Sequence, residues 1–352
     1  MTALPSPPGP LPVVVAGRGL DAVPRTAVRL ARGQYLLPTA PPPVWHQQYE
    51  VSLARILAVH RTHPSLSAFT HSSAALLHGA LVRDHEPDVH VTQPCAARRS
   101  TLSLPRVVYG APLVWGRQGG APPPPPRGHR LQRGASCHLR RHRRRLPDDE
   151  VTAVAGLPVT TVPRTIADCL LDLPPRDAVV SADSLLRGAV LPDRFAPGPE
   201  RARTTEVLAQ VGEQLRRVGP RQHVRRARAL LPLLSPWAES PGESELRYLL
   251  LRAGLPEPAA QVGVRVGGNL YFPDLAWPDL RLGVEFDGRG KYAEPDAYYH
   301  EKRRGDEIEE AGWRLTRVSF EDLQDVQALV GRILRKVPPG RPFPVRPRQV
   351  IA

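Results

Sequence analysis

"FPDLAWPDLRLGVEFDG", running from Phe272 to Gly288, is the stretch on which the reading of the fold turns. Two apolar runs flank a turn signal, and both carry acid: Asp274 in the first, Glu285 and Asp287 in the second. A two-residue hairpin centred on Asp279 and Leu280 pairs Leu275 with Val284 and Asp274 with Glu285. Side chains alternate along a strand, so Leu275, Trp277, Leu282, Val284 and Phe286 share one face and Asp274, Glu285 and Asp287 the other. Like charges directly across a strand pair repel, and a divalent cation reverses that sign. Magnesium takes hard oxygen ligands and commonly uses one or two carboxylates plus water and phosphate. Taken alone, the facing acids fit a solvated polar strand face equally well.

Upstream, "SPGESELRYLLLRAGL" starts a helix: Ser240 and Glu243 form a capping-box pattern, Pro241 sits in the first turn, Leu246, Leu249 and Leu250 make the apolar face, and Gly254 ends it. "AQVGVRVGG" reads as a strand closing in a Gly-Gly turn, with "NLYFPDLAW" as the next. Downstream, "PDAYYHEKRRGDEIEEAG" reads as a helix, "WRLTRVSF" as a strand and "EDLQDVQALVGRILRKV" as a closing helix.

The carriers "SPGESELR", "FPDLAWPDLRLGVEFDG" and "EKRRGDEIEEAGWRLTRVSFEDL", in the order αβββαβα, resemble the very-short-patch-repair-like branch of the PD-(D/E)xK nuclease superfamily over residues 238–337. The resemblance implies a restriction-endonuclease-like α/β domain with Mg²⁺ or Mn²⁺ as cofactor. It implies Asp274 as the motif aspartate, Glu285 as the metal-binding glutamate, Glu243 as an acid orienting the metal water or a ligand, and Arg304 facing phosphate. One departure matters: the ExK position reads Glu285-Phe286-Asp287, with acid where lysine is expected. The chain's lysines are Lys291, Lys302 and Lys336. Lys291 follows a Gly-rich bend that would return its side chain to the phosphate. It is therefore the expected replacement, and Lys302, off the Ile308 side of its helix, the expected DNA-backbone contact.

The preceding region is mixed α/β. "AVRLARGQYLLP" reads as a short helix then a strand, "WHQQYEVSLARILAVH" as a helix, "SSAALLHGAL" as a helix capped by Ser72 or Ser73, and "DVHVTQP" as a strand. "GLPVTTVPRTIADCLLDL" and "RDAVVSADSLLRG" read as a turn and two helices. Residues 1–29 form a disordered or partial N-terminal segment, 116–127 a proline-rich insertion favouring extended polyproline, 196–237 a basic helical linker and 338–352 a proline-rich tail.

"RGQYLLP", "THSSAALLHGALV", "HVTQP" and "RRHRRRLPDDEVTAVAGLPVTTVPRTIADCLLDLPPRDAVVSADSLLR" resemble the AbiEi-type antitoxin proteins of actinobacteria, in the layout with a nuclease-like C-terminus. That resemblance covers residues 30–195 and implies a DNA-binding winged helix before the mixed domain, and a toxin partner. This chain departs from it, with only a short segment before the "RGQYL" strand and no clear pair of helices.

A net charge of +14 and a pI near 10.5 suit a polyanionic partner, DNA first, because basic side chains release condensed counterions when they meet phosphates. All but three of the 48 basic residues are arginine and 42 residues are proline, which a GC-rich genome also produces. The densest positive run supplies Arg140, Arg141, Arg143, Arg144 and Arg145 as expected DNA contacts. No apolar run reaches the ~20 residues of a spanning helix, so the cytoplasm is expected. Cys95, Cys137 and Cys169 lack CxxC spacing and read as reduced thiols, and the 12 histidines show no ligand spacing. The function expected is metal-dependent DNA hydrolysis. The competing readings are a non-catalytic AbiEi-like antitoxin or transcriptional regulator on a degenerate nuclease fold, and a protein-interaction module.

Overall fold

The computed structural model describes residues 11–16, 27–38, 44–96, 99–109, 132–196, 198–288 and 305–351. They fall into unit 1, Met1–Asp168, and unit 2, Cys169–Ala352, each mixed α/β.

Unit 1 opens on β1 (Val14–Ala16), β2 (Val28–Ala31) and β3 (Gln34–Leu36), a three-stranded antiparallel sheet in the order β1-β3-β2. The helix expected at "AVRLARG" is a strand: Val28 and Leu30 point inward with the period of two, and Gly33 turns the chain at φ +69°. Val14–Ala16 pairing with β3 gives part of the N-terminal segment a place in a sheet, while residues 1–10 and 17–26 lie outside the described residues.

Helix α1 (Val44–Thr62) and helix α2 (His71–Leu77) match their expected positions. The cap of α2 does not: Thr70 is the N-cap, and Ser73 Oγ instead accepts the His90 N–H at 2.8 Å. The main sheet comprises β4 (Ala68–Phe69), β5 (Val89–Gln93), β6 (Thr101–Ser103), β9 (His138–Arg143), β10 (Val151–Val154) and β11 (Leu157–Thr160). Its order is β10-β11-β4-β5-β9-β6, and β7 (Val108–Tyr109) pairs with β8 (Gln132–Arg133) separately. Strand β11 occupies part of what reads as a turn from sequence, paired antiparallel with β10 and parallel with β4. Val89, Val91, Leu139, Phe69, Leu77 and Val159 form the core on one side of the sheet. The proline-rich 116–127 lies outside the described residues.

Helix α3 (Val162–Asp172) spans the division between the units. In unit 2, α4 (Pro175–Val190), α5 (Pro199–Arg217) and α6 (Val224–Leu230) precede the strands. The stretch expected as a basic linker is helical but packed: Val211, Leu215, Ala227 and Leu230 are buried, while Arg226 and Arg228 donate to the backbone carbonyls of Leu173 and Leu215.

Helix α7 (Pro241–Ala253) begins as its sequence dictates. The Glu243 N–H donates to Ser240 Oγ at 3.2 Å, Ser240 Oγ donates to Glu243 Oε1 at 2.8 Å, and the Glu239 N–H donates to Oε2 at 2.8 Å. Such caps are worth about 1 kcal/mol. Gly254 ends the helix at φ +95°. Gly242 lets α7 press on the sheet, since a Cβ there would stand 2.0 Å from the Phe286 ring.

The unit 2 sheet runs β12-β15-β16-β17, from β12 (Ala259–Ala260), β15 (Leu275–Trp277), β16 (Leu282–Phe286) and β17 (Arg314–Val318). The two long strands expected before Trp277 are broken: β13 (Val264–Val266) and β14 (Asn269–Tyr271) form their own hairpin about Gly267-Gly268. The chain crosses from β16 to a parallel β17, with residues 305–310 helical, and ends in helix α8 (Val326–Leu334), whose N-cap Asp325 accepts the Ala328 N–H. The proline-rich tail lies along α7. Phe343 meets Trp277 edge-on, the N–H groups of Arg346 and Arg348 donate to the carbonyls of Gly254 and Arg252, and Tyr248 donates its hydroxyl proton to the Ile351 carbonyl. Among the described residues no helix is long and apolar enough to cross a membrane.

Candidate functional site

The acids of β15 and β16 have the expected register. Leu275 pairs with Val284 and Trp277 with Leu282, which leaves Asp274, just before β15, and Glu285 as the next residue on each side. The connection is a four-residue one, with a 3-10 turn at Pro278–Leu280 and Arg281 left-handed at φ +46°, but its centre is unchanged. The strand is covered on both faces, which removes the alternative of a solvated polar face. Leu282 to Phe286 are all buried, and Glu285 is 5% exposed. Ile308, Leu315 and Val264 pack together in a cluster, and Leu315 is the register partner of Gly283 on the Glu285 side of the strand. A Cβ on Gly283 would come within 2.6 Å of Leu315, which shows how closely that layer lies.

Asp274 Oδ2 accepts the Phe286 N–H at 2.7 Å, tying the end of β15 to the end of β16. Asp287, half-buried, donates its backbone N–H to the Val318 carbonyl. Arg317 is the register partner of Glu285 on β17, a cation sequence reasoning did not single out. Both carboxylate oxygens of Glu243 take part in the cap of α7. Lys291, Lys302 and Arg304 lie outside the described residues.

The arginine run forms the end of β9 and the turn after it, and much of it is engaged within unit 1. Arg140 Nε donates to Asp88 at 2.6 Å, Arg141 donates to the Arg99 carbonyl and meets His63 Nε2 at 3.0 Å, and Arg144 pairs with Asp168. Arg143 and Arg145 are exposed.

A second constellation was not legible from spacing. His71, His90 and His142 each offer a ring nitrogen, all within 4.8 Å of one another. His90 and His142 come from parallel neighbours β5 and β9, where the pairings His90 with Arg140 and Thr92 with His142 put both rings on the face opposite the core. His71 opens α2 at φ +52° and is fully buried. His90 Nδ1 and His142 Nε2 are 2.9 Å apart. Burial, then the neighbouring charges of His71, His142 and Arg140, push the His90 pKa well below the usual histidine range, so that ring is neutral.

Behind the histidines lies a buried charge network. Asp168 accepts from Thr70 Oγ1 at 2.7 Å, from Arg164 Nε at 3.0 Å and from Arg144, while Arg164 also pairs with Glu150. Burial alone would raise the Asp168 pKa. The charges of His71, Arg164 and Arg144 outweigh it and hold the carboxyl well below the usual carboxylate range. The cysteines are free; Cys137 and Cys169 are buried, and burial pushes the Cys137 thiol up to about 11.

Comparison with known proteins adds kinship without chemistry. The chain is 33% identical over 143 residues to proteins of Mycobacterium tuberculosis strains CDC 1551/Oshkosh and H37Rv, both named only as uncharacterized. The match covers 40% of this chain, which thus spans about half (51%) of the length of those curated relatives. No protein-family model and no solved structure matches.

Proposed function

We propose that unit 2 is a metal-dependent DNA endonuclease of the PD-(D/E)xK type, hydrolysing phosphodiesters with Mg²⁺ or Mn²⁺ and acting in the cytoplasm. The observation that carries this reading is the Asp274–Glu285 juxtaposition, in which Glu285 is almost wholly withdrawn from water at the end of a central strand. A buried carboxylate is costly without a compensating cation or donors. The strand sequence also supports the reading: an antiparallel β15-β16 pair, a crossover with helical residues, and a parallel β17 follow the order expected of such a nuclease.

The donor set suits the metal. Asp274, Glu285 and Asp287 offer hard oxygen, and Oδ2 of Asp274 holds the Phe286 N–H. A bound Mg²⁺ would supply an activated water and polarise the scissile phosphate. In this reading the chain's own residues orient the metal and neutralise phosphate, Arg317 beside Glu285 and the expected Lys291 and Arg304 among them.

A second reading, a non-catalytic AbiEi-like antitoxin or transcriptional regulator that binds DNA and a toxin, is favoured by a specific observation. Two of the three carried-over acids have structural work, Glu243 in the helix cap and Asp274 in bonding Phe286. One experiment separates the two. Purified protein is incubated with supercoiled and linear DNA in Mg²⁺, in Mn²⁺ and in EDTA. The nuclease reading expects nicking or linearisation with either metal and none in EDTA. DNA retention without cleavage in all three would leave the regulator, and cleavage unaffected by EDTA would remove the metal.

A further inference from the structure

The three histidines of unit 1 lie together, with no part in the chemistry proposed for unit 2. We propose that His71, His90 and His142 form a binding site for a divalent transition-metal ion of the zinc class, with an open coordination position on the His142 side.

Geometry comes first. Imidazole nitrogens bind zinc at about 2.0–2.1 Å, so any two ligands of one ion lie within about 4.2 Å. The three nitrogens here lie within 4.8 Å, and the closest two at 2.9 Å. Side-chain rotation that opens the near pair and draws in the third ring brings all three into range. The His71 and His142 rings are stacked, with centroids 4.3 Å apart.

The chemistry of the donors selects the ion. Neutral imidazole is the form that ligates zinc. Three nitrogens with no carboxylate among them suit zinc, cobalt, nickel or copper and are a poor match for magnesium. Histidine ligands are commonly oriented by a carboxylate behind them. Asp168 is the carboxylate beside the cluster: it interacts electrostatically with His71, and Thr70, Arg144 and Arg164 fix it in place.

Two features point away from ordinary core packing. His71 holds a left-handed backbone, which costs a non-glycine residue on the order of 1 kcal/mol or more and persists where the surroundings demand it. His90 and His142 come within hydrogen-bonding distance of each other, so a single shared proton holds the pair together in the metal-free protein. Replacing that proton by a cation satisfies both nitrogens at once. His142 is partly exposed while His71 and His90 are buried, which gives an ion its route in from the His142 side, where a water would complete a four-coordinate site.

The test uses full-length protein without a polyhistidine tag, stripped by chelator and dialysed. Titration with Zn²⁺ followed by calorimetry, and with Co²⁺ followed by its visible absorption, should give one equivalent and a tetrahedral cobalt spectrum. A tenfold excess of Mg²⁺ should not displace it. His142→Ala, at a partly exposed position that leaves the core intact, should weaken Zn²⁺ affinity at least about 100-fold; Asp168→Asn should weaken it about 10- to 100-fold. His223→Ala, outside the cluster, should leave it unchanged. Circular dichroism of each variant checks the fold, and Zn²⁺ should raise the Tm of the parent protein but not of His142→Ala. Absence of a one-equivalent site in the parent, or a site of unchanged affinity in His142→Ala, overturns the proposal.

Discussion

The two candidate ion sites are assembled in opposite ways. In unit 2 the oxygen donors Asp274 and Glu285 face each other across one hairpin, 11 positions apart in sequence, and one backbone hydrogen bond helps to hold them. In unit 1 the nitrogen donors come from a helix start and two strands of the sheet, with a buried carboxylate and two arginines behind them. A local site is cheap to encode, yet its acids take on the hairpin's structural work. A non-local site depends on the whole sheet, and its supporting charges sit outside the ligand set.

The sharpest way to break that comparison is Glu285→Gln, which keeps the shape of the side chain and removes its charge. DNA cleavage should fall at least about 100-fold, the scale of losing a principal electrostatic contact in a transition state, while the one-equivalent Zn²⁺ stoichiometry stays. Cleavage at the parent rate would show that the hairpin acids do not hold the metal.

Next comes the double duty of Asp274. Asp274→Ala should lose cleavage and also cost about 1–3 kcal/mol in a urea titration, since the Phe286 N–H loses its acceptor. Asp274→Asn keeps an oxygen there and should recover most of that stability without recovering cleavage. Equal stability of the two variants would mean that the carboxylate has no structural share.

The buried aspartates of the two units should answer acid differently. The Asp168 pKa is depressed in the folded chain, so its contribution is present above the unfolded value of ~3.9 and is lost as pH falls below it. For Asp183, burial outweighs the Arg247 guanidinium and the pKa is raised, so its contribution is greatest at low pH and shrinks as pH climbs through that range. Denaturant midpoints of Asp168→Asn measured from pH 6 to pH 2 should therefore fall less steeply than those of the parent. A slope as steep as the parent's would contradict the depressed pKa.

The smallest effect concerns DNA. Arg140, Arg141 and Arg144 are held by partners within unit 1, leaving Arg143 and Arg145 as the side chains of that run best placed for phosphate. Each replacement by Ala should lower the log–log salt slope of DNA binding by about 0.9. Unchanged slopes in both would move the DNA contact elsewhere.

What could be read from the sequence follows the range of the interactions. The hairpin register, the Ser240–Glu243 cap and the Gly254 stop depend on neighbours a few residues away, and each appears as read. The hairpin of β2 and β3 was open to the same logic through the alternation of Val28 and Leu30, but four residues carry too few repeats to separate strand from helix. The covering of Glu285 was not readable, because Ile308 and Leu315 reach it from the far side of a crossover. Nor was the histidine cluster. Alternation puts His90 opposite Val89 and Val91, and His142 on the side of Arg140, but only the parallel pairing of β5 with β9 joins them. That pairing is a property of the sheet as a whole.

The tail laid along α7 sets an order on synthesis. A chain leaves the ribosome N-terminus first, and domains generally fold as they emerge. Every strand of unit 1 precedes residue 161, so its sheets can close while the rest is still being made. Tyr248, by contrast, meets its carbonyl at Ile351, 103 residues later, and Gly254 and Arg252 wait for Arg346 and Arg348. Helix α7 therefore stays unfastened until the stretch from Arg346 to Ile351 has been added, long after the strands of unit 1 have been made.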